Sequence, residues 1–277
     1  MNARPYAEVI GDPIAHSKSP LIHNFWLEKL GIDAEYRRMH VRAEGLEDYF
    51  AQRRQDPDWR GCNVTLPHKI MVLQHLMKYD ESLSSVGAAN MVVPGAGALT
   101  GYNTDVAGIL EALPVSLMPA VSTVCLIGTG GAARAALAAF RQRNVARVSF
   151  SARNRGVAEA LQAEFGFDGR IGPLTDAGNF AEADVIVNAT GMGMSGSDRM
   201  PPALLELIDR SKPGATVFDM VYAPLETPLL AAARARVLTP VDGLRMLVGQ
   251  AAAAFELFFG QSAPRAHDSE LRALLTA

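Results

Sequence analysis

The stretch VCLIGTGGAARAAL, residues 124–137, joins an apolar strand to an alanine-rich helix through a glycine-rich turn. Gly128, Gly130 and Ala133 fit the G-x-G-x-x-[G/A] pattern, whose small residues allow a tight turn, close approach of a pyrophosphate and helix–strand packing. Such a turn can be a simple connection, but its place between a strand and a helix favours dinucleotide binding. Backbone N–H groups at the helix start would hold the pyrophosphate. These groups belong to Thr129, Gly130, Gly131 and Ala132.

The end of the next predicted strand, residues 147–151, indicates which dinucleotide is bound. An NAD site usually has Asp or Glu there to hold the ribose 2′-hydroxyl, whereas Arg accommodates the 2′-phosphate of NADP. Residues 145–158 contain no acidic residue but include Arg153 and Arg155. The positive charge of these arginines favours NADP over NAD. In the alternative interpretation they are simply solvated surface residues.

Predicted strands and helices alternate along the chain, which indicates an α/β fold with mostly parallel sheet. The predicted strands are 7–11, 35–41, 62–66, 123–128, 147–151, 184–190 and 216–221. The predicted helices are 20–31, 45–55, 133–144 and 157–166, with a buried helix from about residue 245. From residue 123 onward the pattern is typical of a doubly wound nucleotide-binding domain.

We therefore predict a two-domain chain. Residues 1–104 would form an N-terminal α/β domain that binds the substrate and carries catalytic residues. Residues 105–244 would form a Rossmann-type, doubly wound NADP-binding domain. The C-terminal helices, within residues 245–277, would return to complete the first domain.

Charge and cysteine content exclude several classes of protein. A net formal charge of −3 supplies no basic field for nucleic acid or an anionic membrane. Cys62 and Cys125 lie in apolar runs, so we expect neither a disulfide framework nor a metal site. The N-terminal residues lack the pattern of a signal peptide, and no apolar run reaches about 18 residues. A cytoplasmic protein is expected.

Residues 61–69, GCNVTLPHK, are predicted to bring two polar side chains near a lysine. Alternation of apolar and polar residues places Asn63 and Thr65 on one face of a strand. Pro67 is expected to end that strand and open an amphipathic helix. Lys69 would then lie in the first helical turn, where the helix dipole disfavours a cation by about 0.3–1 kcal/mol. It is either a solvated helix residue or a functional one.

Residues 11–24, GDPIAHSKSPLIHN, contain two serines just before a predicted helix that Pro20 opens. Ser19 is either an N-cap alone, which contributes about 1 kcal/mol, or part of an anion site. In the second interpretation the hydroxyls of Ser17 and Ser19 and the helix N-terminus hold a carboxylate. The local sequence leaves both interpretations open.

Eight segments in order resemble the shikimate dehydrogenase family over nearly the whole chain. They are GDPIAHSKSPLIHN, GCNVTLPHK, GAAN, GYNTDVAG, GTGGAARA, NATGMGM, DMVYAPLETPLL and GLRMLVGQAAAAF. The resemblance implies a reversible reduction of 3-dehydroshikimate to shikimate with NADPH, in the chorismate pathway to aromatic amino acids. It also implies two α/β domains that flank a cleft, and a monomer or homodimer.

The resemblance assigns roles to individual residues. Lys69 and Asp105 would form a catalytic pair that also contacts the substrate. The other substrate-binding residues would be Ser17, Ser19 and Tyr222 for the carboxylate, and Asn63, Thr65, Asn90 and Gln250 for the ring hydroxyls. The remaining cofactor-binding residues would be Arg153 and Asn154 at the 2′-phosphate, and Gly243, Thr190 and Met192 near the nicotinamide.

Three positions depart from the family pattern. Met91 stands where a threonine is common, Ala152 where an asparagine is common, and Arg245 where a glycine is common. These departures are expected to affect the affinity for the cofactor more than the reaction that is catalysed. The alternatives are an NAD-dependent quinate/shikimate dehydrogenase and, in a different class, a non-catalytic NADPH-binding regulator. The first would carry an acid near Ala152, and the second would have lost the Lys69–Asp105 pair.

Overall fold

The computed structural model describes residues 4–95, 97–119 and 122–277. They fall into two compact units, one of Met1–Thr104 with Gln250–Ala277 and one of Asp105–Gly249. The first unit therefore takes up both ends of the chain. Among the described residues, no helix has the length and apolar composition needed to cross a lipid bilayer.

Strands and helices alternate in both units. The strands are β1 (Tyr6–Gly11), β2 (Glu35–His40), β3 (Trp59–Val64), β4 (Lys78–Tyr79), β5 (Met91–Gly95), β6 (Ala98–Tyr102), β7 (Thr123–Ile127), β8 (Arg147–Ser151), β9 (Ile171–Gly172), β10 (Val185–Asn188), β11 (Thr216–Asp219) and β12 (Thr239–Val241). The α-helices are α1 (Ser19–Leu30), α2 (Leu46–Arg53), α3 (Glu81–Ser84), α4 (Asp105–Ala112), α5 (Gly131–Gln142), α6 (Arg155–Phe165), α7 (Ala177–Glu182), α8 (Pro202–Leu205), α9 (Pro228–Ala235), α10 (Gly243–Phe259) and α11 (Asp268–Thr276).

The sheet of the first unit has the strand order β2-β1-β3-β5-β6-β4. Strand β1 pairs in parallel with β2 and β3, whereas β5 is antiparallel to β3 and β6. Tyr6 and Ile10 belong to one apolar cluster and Ala7 and Val9 to another, so β1 is buried on both faces. A strand covered on both faces is apolar along most of its length, which is why it was recognisable in the sequence.

The sheet of the second unit has the order β12-β11-β10-β7-β8-β9, and its pairings are parallel. Numbered from β7, this is the 3-2-1-4-5-6 order of the doubly wound dinucleotide-binding fold, so the predicted fold class is confirmed. The strand order reverses between β7 and β10. Ligands bind such sheets in the crevice at this reversal, beyond the carboxyl ends of the strands.

Most predicted elements are present within one to three residues of their expected ends. Helix α1 ends at Leu30 and is capped by Gly31, whose φ of 64° is the left-handed conformation that glycine adopts easily. Strand β8 has the predicted bounds. Cys62 and Cys125 are buried free thiols, and burial raises the pKa of both.

The helix predicted from Pro67 is wrong. Strand β3 already ends at Val64, and a turn leads into a short 3₁₀ helix, Met71–His75. An α-helix would need the carbonyl of Lys69 for a bond within the helix. That carbonyl instead accepts a 2.8 Å hydrogen bond from the backbone N–H of Ala89. The lysine therefore lies in a turn, and the argument from the helix dipole does not apply to it.

Candidate active site

The side chain of Asn63 is held in one orientation by two buried partners. Its Oδ1 accepts a 2.6 Å hydrogen bond from the hydroxyl of Tyr36, and its Nδ2 donates to the carbonyl of Asn90 at 3.2 Å. The amide group carries two N–H donors, so the second hydrogen remains for a ligand. Asn63 is 5% exposed, and Tyr36 lies in the cluster that includes Phe258 of α10. The site therefore offers a fixed donor at this position.

Asn90 belongs to a second buried group of hydrogen bonds. Its Nδ2 donates to Oγ1 of Thr104 at 2.9 Å and lies 3.4 Å from Oε1 of Gln250. Its Oδ1 accepts the backbone N–H of Thr104 at 2.7 Å. The first unit thus brings together Asn63, Asn90 and Gln250, three of the predicted hydroxyl-binding residues. Thr104 is a further member that sequence reasoning missed, although it lies in the quoted segment GYNTDVAG.

Thr65 and Lys69 follow β3 in a turn that is tied to neighbouring elements. The backbone N–H of Thr65 donates to Ile10 at 3.0 Å, and Nε2 of His68 donates to the carbonyl of Val41 at 2.7 Å. Together with the bond from Ala89, these contacts fix the backbone on both sides of Lys69. The side chains of Thr65 and Lys69 are half-buried, which leaves them accessible to a small molecule.

Ser17 and Ser19 are both buried at the start of α1, but neither is the N-cap residue. That position is Lys18, which makes no side-chain capping bond, so the interpretation of Ser19 as an N-cap is wrong. The backbone N–H of Ser19 instead lies 3.3 Å from Oγ of Ser17. Arg38 clamps the segment through two bonds to the carbonyl of Ser17, at 2.6 and 2.9 Å.

The other two substrate-side candidates belong to the second unit. Asp105 is the buried first residue of α4, and Tyr222 follows β11 in a half-buried position. Their approach to Lys69 and to the serines stays a prediction. Met91 is fully buried in the apolar cluster with Ala7, so at this position the side chain packs in the core.

The glycine-rich turn after β7 has the geometry that a dinucleotide requires. Gly128 has a φ of 105°, and an added Cβ would lie 2.6 Å from Cγ2 of Thr190. Gly130 is the N-cap of α5, and a Cβ there would meet nothing within 4 Å. The first N–H groups of α5, which include those of Gly131 and Ala132, have no partner within the helix. Such N–H groups at a helix N-terminus can bind an anion, and the binding of the pyrophosphate here stays a prediction.

Arg153 and Arg155, which follow β8, have different partners. Arg155 donates to Glu159 at 2.7 Å and to the carbonyl of Ile171 at 3.1 Å. Arg153 instead lines a surface cavity of about 290 Å³ with Gly191, Met192, Ser197 and Asp198. Its Nη2 lies 3.2 Å from Oδ2 of Asp198, a residue that sequence reasoning missed.

Asn154, Thr190 and Met192 are held by their own hydrogen bonds. Oδ1 of Asn154 caps α6 by accepting from the N–H of Val157 at 3.2 Å. Oγ1 of Thr190 donates to Oδ1 of Asn188 at 2.7 Å and accepts from the N–H of Met192 at 3.1 Å. The segment after β10 is therefore fixed close to the strand end.

Asn188 is in turn held by Asp219, its register partner on β11. Oδ1 of Asp219 accepts from Nδ2 of Asn188 at 2.9 Å, and Oδ2 accepts from the hydroxyl of Thr227 at 2.7 Å. Burial raises the pKa of Asp219 to about 6, and these donors oppose the rise. The sequence analysis did not identify Asn188 and Asp219; the signal that could have found them is a polar residue at the end of each of two adjacent parallel strands.

Gly243 and Arg245 begin α10. A Cβ on Gly243 would collide with the backbone of Met220 and Val221, so the close approach of these segments requires glycine. Nη2 of Arg245 lies 3.5 Å from the carbonyl of Glu111. The side chain of Arg245 is exposed.

Comparison with known proteins gives consistent matches at both ends of the chain. Residues 9–92 match the shikimate dehydrogenase substrate binding domain, and residues 243–267 match the shikimate 5′-dehydrogenase C-terminal domain. Shikimate dehydrogenase (NADP(+)) of Sphingopyxis alaskensis is 48% identical over 276 residues, which cover 99% of this chain and 98% of the relative. The corresponding protein of Azorhizobium caulinodans is 40% identical, over 97% of this chain and 95% of its own.

A solved structure is also similar over its full length. The crystal structure of shikimate 5-dehydrogenase from Thermus thermophilus, in complex with NADP(H) and shikimate, has a TM-score of 0.85 and 34% identity. The match covers 98% of this chain and 99% of that one.

Proposed function

The chain belongs to the shikimate dehydrogenase family, and we propose that it catalyses the reversible, NADP-dependent reduction of 3-dehydroshikimate to shikimate. The observation that carries this function is the 48% identity over 99% of the chain to a shikimate dehydrogenase (NADP(+)). As an oxidoreductase acting on a CH–OH group, it serves chorismate and aromatic amino-acid biosynthesis. The second unit, with its doubly wound sheet and glycine-rich turn, binds the cofactor.

We assign substrate recognition to polar groups that the first unit holds in place. Asn63 donates its second N–H to a ring hydroxyl, since Tyr36 occupies its oxygen. Thr65, Asn90 and Gln250 complete the hydroxyl site. The hydroxyls of Ser17 and Ser19, with that of Tyr222, bind the carboxylate.

Lys69 and Asp105 are the catalytic pair in this proposal. When bound, NADPH supplies the hydride that adds to the carbonyl carbon of 3-dehydroshikimate. Negative charge then develops on the carbonyl oxygen, and the ammonium of Lys69 stabilises it and donates the proton that forms the hydroxyl. Asp105 accepts a hydrogen bond from the neighbouring ring hydroxyl and orients Lys69. In the oxidation direction the same groups act in reverse.

The cofactor assignment rests on the geometry of the second unit. The N-terminus of α5 receives the pyrophosphate, with Thr129 in the turn before it. Arg153 receives the 2′-phosphate through charge-assisted hydrogen bonds. The oxygen of Asn154 caps α6, so its amide N–H is the group offered to the phosphate. Thr190, Met192 and Gly243 surround the nicotinamide.

A direct assay distinguishes this function from its alternatives. Purified protein is mixed with shikimate or quinate and with NADP or NAD, and the absorbance of the reduced cofactor is followed. We expect the cofactor to be reduced fastest when shikimate is combined with NADP. A faster reaction with quinate and NAD would replace the proposal by the quinate/shikimate dehydrogenase. Cofactor binding without turnover of either substrate would support a regulator. A cytoplasmic location and a monomeric or homodimeric state stay predictions.

A further inference from the structure

Arg153 has a carboxylate partner that comes from a different loop. Arg153 follows β8, whereas Asp198 lies ten residues beyond the end of β10. Their side chains are 68% and 73% exposed, and Nη2 of the arginine is 3.2 Å from Oδ2 of the aspartate. Residues 145–158 contain no acidic side chain, but the segment after β10 places one beside Arg153.

Backbone hydrogen bonds hold Asp198 in this position. Its carbonyl accepts from the N–H of Gly193 at 2.9 Å, and the N–H of Ser197 donates to Met194 at 3.0 Å. Gly193 and Gly196 have φ values of 88° and 81°, which allow the loop to turn back on itself. The loop therefore presents Asp198 beside Arg153, in the wall of the same cavity.

The charge of Asp198 has opposite consequences for the two cofactors. A 2′-phosphate bound at Arg153 would compete with the carboxylate for the guanidinium and would lie close to a like charge. The 2′-hydroxyl of NAD carries no charge, and an acidic side chain near the ribose is the usual acceptor for it. We propose that Asp198 is a specificity-determining residue, which weakens NADP binding at Arg153 and so limits the preference for NADP over NAD. This inference rests on the assignment of Arg153 to the 2′-phosphate.

The test compares Asp198→Asn with a matched control, Asp209→Asn. Asp209 is 70% exposed, lies 3.4 Å from Arg236 and does not line the cavity, so both variants remove one exposed, paired carboxylate. Dissociation constants are measured by calorimetry for NADP and NAD. The same is done for adenosine 2′,5′-bisphosphate and 5′-AMP, which lack the nicotinamide half and differ from each other only in the 2′-phosphate.

We expect Asp198→Asn to tighten binding of NADP and of the bisphosphate about two- to fivefold, the range set by an exposed ion pair. Binding of NAD and 5′-AMP should be unchanged or weaker, and Asp209→Asn should change none of the four. The gain should shrink at about 1 M salt, where the Debye length is about 3 Å. Unchanged or weaker NADP binding in Asp198→Asn, or equal gains in both variants, would overturn the inference.

Arg153→Ala separates this inference from the assignment on which it rests. If Arg153→Ala weakens NADP selectively and Asp198→Asn does not tighten it, only the inference about Asp198 fails. If Arg153→Ala weakens NADP and NAD equally, the assignment of Arg153 fails and the inference fails with it.

Discussion

The hydroxyl of Tyr36 donates a 2.6 Å hydrogen bond to Oδ1 of Asn63, and both residues are buried. An asparagine side chain can bind with either end, because its oxygen and nitrogen have almost the same shape. The carbonyl of Asn90 removes this ambiguity, since a carbonyl only accepts and must face the nitrogen, and the hydroxyl of Tyr36 then donates to the oxygen. Tyr36, which lies outside the proposed binding set, thus occupies the oxygen of Asn63 and leaves an N–H as the group offered to a ligand.

Tyr36→Phe should therefore affect substrate binding more than turnover. We expect KM for shikimate to rise about three- to tenfold, as for loss of one neutral hydrogen bond, with kcat changed less. Stability should fall by about 1–3 kcal/mol, because the oxygen of Asn63 loses its buried partner. Steady-state kinetics and denaturant unfolding measure both effects. Tyr79→Phe is the control, since Tyr79 is exposed and bonds only a nearby carbonyl among the described contacts; an unchanged KM in Tyr36→Phe would contradict the positioning role.

His23 predicts how stability changes with pH. It is fully buried, and its ring stacks on that of Tyr36 with centroids 4.0 Å apart. Burial lowers its pKa to about 3, whereas the unfolded chain takes up the proton near pH 6.5. Between these values the unfolded state binds more protons, so stability falls as pH falls, by about 1.4 kcal/mol per pH unit from this group. Above about pH 7 this contribution is constant.

Unfolding in urea between about pH 5 and about pH 8, a range that brackets the ordinary histidine pKa of about 6.5, tests this expectation. His23→Phe should remove the slope of this group and leave the opposite contribution of Asp219 below about pH 6, whereas His16→Gln, at an exposed position, should leave the wild-type profile. A slope of the same size in His23→Phe would show that other groups cause it.

Lys69→Ala should lower kcat by roughly 10²–10⁴, the usual contribution of general acid–base catalysis. Asp105→Asn should also lower kcat, and the double variant should be little worse than the poorer single one, because groups that act as a unit are not additive. Lys78→Ala, at an exposed lysine of β4, is the control and should keep normal turnover. Normal kcat in a folded Lys69→Ala protein would end the catalytic assignment.

Two glycines of the same turn should respond differently to alanine. In Gly128→Ala the positive φ and the contact with Thr190 strain the turn, so stability should fall by about 1–3 kcal/mol. In Gly130→Ala the new methyl group meets no protein atom, so stability should be nearly unchanged. Both should weaken NADP binding, on the order of tenfold or more, since the pyrophosphate needs a close approach. Thermal unfolding and calorimetry test each effect, and tight NADP binding by Gly130→Ala would place the pyrophosphate elsewhere.

Periodic patterns predicted much of the fold because burial requires them. The apolar strand and alanine-rich helix around Gly128 and the apolar run of β1 could be identified from residue type alone. The segment after Pro67 could not, since the bond from Ala89 to the carbonyl of Lys69 joins residues that are distant in the sequence. Local patterns contain no information about such a competitor for a helical hydrogen bond.

The residues that sequence reasoning missed were missed for a related reason. Asp198 lies in a segment rich in glycine and serine, and only its turn geometry brings it to Arg153. Tyr36 is an apolar strand residue by pattern, and its hydroxyl gains meaning only beside Asn63. Residue type and the family resemblance predicted the groups proposed to touch ligands, whereas the groups that orient them depend on tertiary contacts.

The backbone hydrogen bond between Ala89 and Lys69 also bears on which stereoisomers of the substrate ring the proposed site would accept. Ala89 precedes Asn90, so this hydrogen bond joins the backbone of the proposed proton donor to the residue next to a proposed hydroxyl-binding residue. The carbonyl of Asn90 accepts from the N–H of Val64 at 2.7 Å, which ties the same segment to β3. The backbones that carry Lys69 and Asn90 are therefore joined through β3 and through Ala89. If Lys69 and Asn90 have the proposed roles, an epimer whose hydroxyl lies on the other face of the ring should not satisfy both residues together, and we expect selectivity among ring stereoisomers to follow from these backbone bonds.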